Sequence, residues 1–140
     1  MRVILDTNVL IAALIKPDGA PDAIYKAWRA GVFELVTSAL QMDELRRVSR
    51  YPKLKPFLPA HRVGAMINNM QHTIVLEQLP LVPETLTIHD PNDAYLAAMA
   101  LTAQPDYLVT GDKRAGLIAL GSIGRTRIVT PASFCALTKL

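Results

Sequence analysis

Asp6, Glu44, Asp93 and Asp112 are the residues whose type and position could do chemistry. Asp6 ends the apolar run Arg2-Val3-Ile4-Leu5, and a second apolar segment follows at once. An ionised carboxylate buried without partners is costly, and Asp is rarely fully buried unless paired. Asp6 is therefore a helix cap, a salt-bridge member or a metal ligand. The other acids have local alternatives too. Glu44 could be an exposed helical acid, although Leu45 and the apolar spacing leave it near the buried side. Asp93 could favour a helix dipole from the first turn. Asp112, in Thr110-Gly111-Asp112, could be a turn residue. Taken jointly, carboxylates gathered at one edge would repel one another and raise each other's pKa. Such a cluster persists when a cation neutralises it. Oxygen donors without paired His or Cys select the hard ions Mg²⁺ or Mn²⁺. Two such ions can activate a water and stabilise the leaving oxygen of a phosphodiester.

The elements that must position these acids alternate between strand and helix. Residues 2–6 read as a short buried strand and 8–15 as a helix stopped by Lys16-Pro17-Asp18-Gly19. Residues 21–30 read as a helix ended by Gly31, with Ile24 and Trp28 at helical spacing and Trp28 a core residue. A strand over 33–37 leads to Ser38, which starts a helix running to about residue 51, with Gln41 at the capping-box position. The helix 59–71 has an apolar face of Val63, Met66, Ile67 and Met70, which assigns its methionines to core packing. A strand over 73–76 and a connector over 79–89 follow. Asp90-Pro91-Asn92-Asp93 is a strong start for a helix over 91–102: a cap, a proline at the first helical position, then an acid. Residues 107–110 read as a strand, 114–120 as a short helix and 127–129 as a final strand. Thr130-Pro131 caps a last helix. This pattern predicts an α/β domain with a mostly parallel sheet. In such sheets, sites form beyond the carboxyl ends of the strands, which places Asp6 and Asp112 on one edge.

At 140 residues, 51% of them apolar, the chain reads as one globular domain over 1–140. A single cysteine, Cys135, rules out an internal disulfide framework, fits a reducing compartment and reads as a small buried residue on the last helix. Asp6 and Asn8 interrupt the only stretch that resembles a signal peptide, and no apolar run approaches the ~18 residues a spanning helix needs. A soluble, cytoplasmic protein is expected, with no membrane partner. Net charge is only +3, but it is segregated. Residues 45–76 carry six basic side chains and no acid, and residues after Asp112 carry five more and again no acid. A basic face of this kind suggests a polyanion, most often nucleic acid, unless it is only a solvated surface. His61, His72 and His89 lack ligand spacing. Position 8 is Asn where a haloacid-dehalogenase-type phosphatase needs Asp. Val129-Thr130-Pro131 lacks the Lys of a receiver domain. The chain has no G-x-G-x-x-G and no P-loop.

The segments Leu5-Asp6-Thr7-Asn8-Val9-Leu10, Asp43-Glu44-Leu45-Arg46-Arg47-Val48, Asp90-Pro91-Asn92-Asp93-Ala94-Tyr95-Leu96-Ala97-Ala98 and Val109-Thr110-Gly111-Asp112 resemble the successive motifs of the PIN domain family, in the family's order. The similarity is closest to the bacterial toxin–antitoxin members, the VapC-like group, and the segment 46–55 shares it. The resemblance implies a three-layer α/β/α fold and a ribonuclease that needs Mg²⁺ or Mn²⁺ and leaves 5′-phosphate and 3′-hydroxyl ends. It implies that Asp6, Glu44, Asp93 and Asp112 bind the metal, with Asn8 and Thr110 as supporting polar residues. Thr110 could instead satisfy its own strand end. Asp90 fits a helix cap better than a ligand. Arg46, Arg47, Arg50, Lys53 and Lys55 would bind the RNA backbone. A small antitoxin protein and a homodimer are the partners implied beside RNA. The alternative is a PIN-fold module that binds RNA or protein and cleaves nothing.

Overall fold

The computed structural model describes residues 1–83, 86, 88, 90–111 and 116–140, and only the backbone of Asn92. Its strands are β1 (Arg2–Leu5), β2 (Glu34–Ser38), β3 (Ile74–Leu76), β4 (Tyr107–Val109), β5 (Ser122–Ile123) and β6 (Thr126–Val129). They form one sheet in the order β3-β2-β1-β4-β6-β5. All pairings are parallel except the hairpin of β5 with β6. The two-residue strand β5 was not anticipated from sequence. Its hairpin turns through Gly124 at φ +57°, a conformation that L side chains rarely adopt.

Alternation along the strands sets the layers. Val3, Leu5, Leu35, Val109 and Val129 face one apolar cluster, whereas Ile4, Val36, Leu108 and Ile128 face another. Both faces of the sheet are therefore buried, as expected of parallel strands with crossover helices. The first face carries α1 (Thr7–Ile15), α2 (Ala20–Arg29), α3 (Ala39–Val48), α4 (Ala60–Gln71) and α7 (Pro131–Thr138). Trp28, Met66 and Met70 lie in this layer as predicted, and the half-buried Cys135 packs against it. The second face carries α5 (Pro91–Ala103) and α6 (Leu117–Leu120). The small residues Ala97 and Ala100 are buried in this layer beside Leu96 and Met99. The result is the three-layer α/β/α arrangement.

The chain builds β2 and β3 on one side of β1, then crosses to place β4 on the other side. Strand order thus reverses between β1 and β4, and the crevice beyond their carboxyl ends is where α/β sheets place ligands.

Local signals start the helices where expected. Ser38 accepts from the Gln41 N–H at 3.1 Å and caps α3, and Thr130 accepts from the Ser133 N–H at 3.1 Å and caps α7. Gln41 departs from the capping-box expectation. Its buried side chain donates to the Leu5 carbonyl at 2.7 Å and accepts from the Thr37 hydroxyl at 2.7 Å. It therefore ties the ends of β1 and β2 to the first turn of α3. Replacing it with alanine removes partners from buried polar groups, which costs about 1–3 kcal/mol for each group left unsatisfied. Gln41→Ala should lower the unfolding free energy by ~2 kcal/mol in urea denaturation, with an unchanged slope. A loss below ~0.5 kcal/mol would show that the tie carries no weight.

Candidate active site

Asp6 sits where β1 ends and α1 begins. Its backbone N–H donates to the Val109 carbonyl at 2.9 Å, which extends the β1–β4 ladder by one residue. Its side chain is only 7% exposed. One carboxylate oxygen accepts from the Asn8 N–H at 3.3 Å and caps α1; the other accepts from the Thr110 hydroxyl at 2.8 Å. Thr110 is itself buried just past β4, and its N–H donates to the Val129 carbonyl at 3.0 Å. Of the three sequence alternatives for Asp6, the structure realises the helix cap, and it places the residue at the switch point. The Asn8 side chain is exposed, and this residue supports Asp6 through its backbone.

Glu44 reaches the same edge from α3. It lies three residues after Gln41, so the tie between Gln41 and Leu5 turns Glu44 over the end of β1. Its Oε2 accepts a hydrogen bond from the Tyr95 hydroxyl, and the Thr7 hydroxyl lies 3.4 Å from the same oxygen. The Thr7 and Tyr95 hydroxyls are 3.0 Å apart. Burial pushes the Tyr95 phenol well above its ordinary pKa, and the hydrogen bond to Glu44 adds to the shift. The charge of Asp6 raises it further, so Tyr95 feels both carboxylates. The phenol therefore stays protonated and remains a donor.

Asp93 is buried in the first turn of α5, two residues before Tyr95. Asp90 is exposed just before this helix, and its carbonyl accepts from the Ala94 N–H at 3.0 Å, as a cap residue's does. Asp112 and His89 lie outside the described residues. Among the described residues, no three carboxylate, imidazole or thiol side chains stand close enough together to hold one metal ion.

The basic residues divide between two openings. Arg47 lines a cavity of about 340 Å³ together with Glu44, Tyr95, Leu40, Asp43 and Pro91. Arg46, Arg50 and Lys55 surround a groove of about 570 Å³ between α3 and α4, with Leu58, Val63 and Ile67 among its apolar lining. Arg46 also pairs with Asp43 at 3.0 Å, which joins the two openings across α3. Lys53 is exposed and lines neither. Thr7 and Tyr95 had no role assigned from sequence. The signal at Tyr95 was one polar-tipped aromatic in a helix of small apolar residues, but nothing local named its partner.

A search of curated proteins gave no match. Among solved structures, the crystal structure of VapBC2 from Rickettsia felis bound to a DNA fragment from their promoter matches with a TM-score of 0.58 at 16% identity. The match covers 93% of this chain and 98% of that one, and at such identity it establishes the fold. The family profile described as PIN domain matches residues 2–114, most of the 140-residue chain. The chain belongs to the PIN domain family.

Proposed function

We propose that this PIN domain is an endoribonuclease that hydrolyses RNA phosphodiester bonds with Mg²⁺ or Mn²⁺, acting as the toxin component of a toxin–antitoxin pair. The observation that carries the reading is Asp6: a buried carboxylate at the β1–β4 switch point, held on both oxygens, beside a Glu44 fixed by Tyr95. The donor chemistry fits a hard cation. Asp6, Glu44 and Asp93 offer oxygen alone, and Mg²⁺ keeps several waters and takes only one or two carboxylates from a protein. Asp112 completes the proposed ligand set. When bound, the ion supplies activation of water and charge stabilisation at the scissile phosphate.

The chain's own residues do the rest. Thr110 and the Asn8 N–H hold the Asp6 carboxylate in one orientation, so little rotamer freedom is lost when it takes up a ligand. Arg47, on the wall of the same cavity as Glu44, attracts the anionic RNA backbone. Arg46, Arg50 and Lys55 extend that attraction along the neighbouring groove, and Lys53 adds to the field. The fold likeness to VapBC2 supports the toxin class. A small antitoxin protein that covers the site and a cytoplasmic place of action are further parts of the proposal. Homodimerisation belongs to the same proposal.

Purified protein should cleave single-stranded RNA in the presence of Mn²⁺, leaving 5′-phosphate ends. Asp6→Asn should slow cleavage by about 100-fold or more. Lewis-acid stabilisation is worth several kcal/mol, and each ~1.4 kcal/mol is tenfold in rate. Equal cleavage by Asp6→Asn and wild type would refute the assignment. Thr110→Val keeps the shape but removes the donor to Asp6, and should cost about tenfold in rate. An unchanged rate in this variant would mean that Thr110 serves only its strand end.

A further inference from the structure

Tyr95 belongs to the helical layer on the far side of the sheet from Glu44. Its ring packs in the cluster formed by Leu96, Met99, Ile4 and their neighbours, and the residue is only 9% exposed. Its hydroxyl nevertheless reaches the carboxyl edge and meets Glu44 of α3 and Thr7 of α1, both from the opposite layer. Phenylalanine would fill the same apolar space. A buried hydroxyl is costly unless it finds a partner, and its partner here is the Glu44 carboxylate.

Glu44 needs such a partner. It is only partly buried, and a free glutamate has rotamer freedom to lose when it is fixed. An ionised carboxylate can only accept, so the Tyr95 proton goes to Glu44, and the single Thr7 proton serves Tyr95 or Glu44. Both bonds fall on Oε2, and among the described residues no donor reaches Oε1. One oxygen is thus fastened while the side chain still lines the 340 Å³ cavity.

We propose that Tyr95 is a positioning residue for Glu44: through Thr7 and Glu44 it locks the two helical layers across the sheet edge and presents the second Glu44 oxygen to a divalent cation. This rests on the metal-dependent reading above. The second oxygen is the free coordination valence, and Tyr95 acts on the ion only through Glu44.

Mn²⁺ binding to the purified full chain, followed by calorimetric titration, tests it in wild type, Asp6→Asn, Tyr95→Phe, Glu44→Gln and the Glu44→Gln/Tyr95→Phe double variant. Tyr95→Phe should weaken Mn²⁺ binding about tenfold, the scale seen when an outer partner of a ligand is removed. In the Glu44→Gln background the same change should add less than about twofold, because the two residues act as one unit. Equal losses in both backgrounds, or no loss in either, would overturn the positioning role while leaving the metal site standing, provided that wild type binds Mn²⁺ and Asp6→Asn does not. A wild type that binds no Mn²⁺, or an Asp6→Asn variant that binds it as well as wild type does, would overturn the metal-dependent reading and the Tyr95 role together.

Discussion

A buried carboxylate at the end of a central strand is the constraint on which the rest of this structure turns. β1 lies between β2 and β4, so Asp6 leaves the sheet at its middle, where strand order reverses. Moving an ion into such a place costs several kcal/mol unless it is hydrogen-bonded. Three local features offset the cost: the Asn8 N–H, the Thr110 hydroxyl and the positive end of the α1 dipole. Each of them exists only because β1 stops at Leu5, α1 starts at Thr7 and β4 runs in register beside β1. The position of Asp6 is therefore a property of the sheet, and the sheet's topology is in turn stitched at Asp6 through its N–H to Val109.

The second acid is placed by a different device. Glu44 stands on a helix, and that helix is registered on the sheet by Gln41, which spends its amide on the β1 and β2 ends instead of on its own helix terminus. Tyr95 then reaches over the edge from the other layer. Among the described residues, the Thr110 hydroxyl and the Asn8 N–H donate to Asp6, and the Tyr95 and Thr7 hydroxyls reach Glu44. Neutral donors of this kind orient a carboxylate without neutralising its charge. Arg47 lines the cavity beside Glu44, and Arg46, Arg50 and Lys55 line the groove on the other side of α3, where they can draw in a polyanion.

What could be read from sequence was local, and what could not was mostly long-range. Apolar strands bounded by turns marked β1, β2, β4 and β6. Ser38, Asp90-Pro91 and Thr130-Pro131 marked helix starts because a cap acts within three residues. Asp6 stood out because a carboxylate between two apolar segments has few stable solutions. The partners of Glu44 lie 37 and 51 residues away, and Thr110 is 104 residues from Asp6, so no spacing rule could pair them. Gln41 looked like a capping-box residue and became a tertiary tie because the Leu5 carbonyl competes for its amide. β5 went unseen because two residues carry no periodicity. The basic segment read as one surface, yet helical geometry sends Arg46 and Arg47 to different openings.

In the proposed mechanism, Asp6 holds a divalent cation at the carboxyl edge of β1 and β4. Anomalous diffraction from crystals soaked in Mn²⁺ tests it directly. A peak in coordination contact with the Asp6 carboxylate and within reach of Glu44 is expected. A well-diffracting, Mn²⁺-saturated crystal with no peak at that edge, or with manganese bound only elsewhere on the molecule, would contradict it.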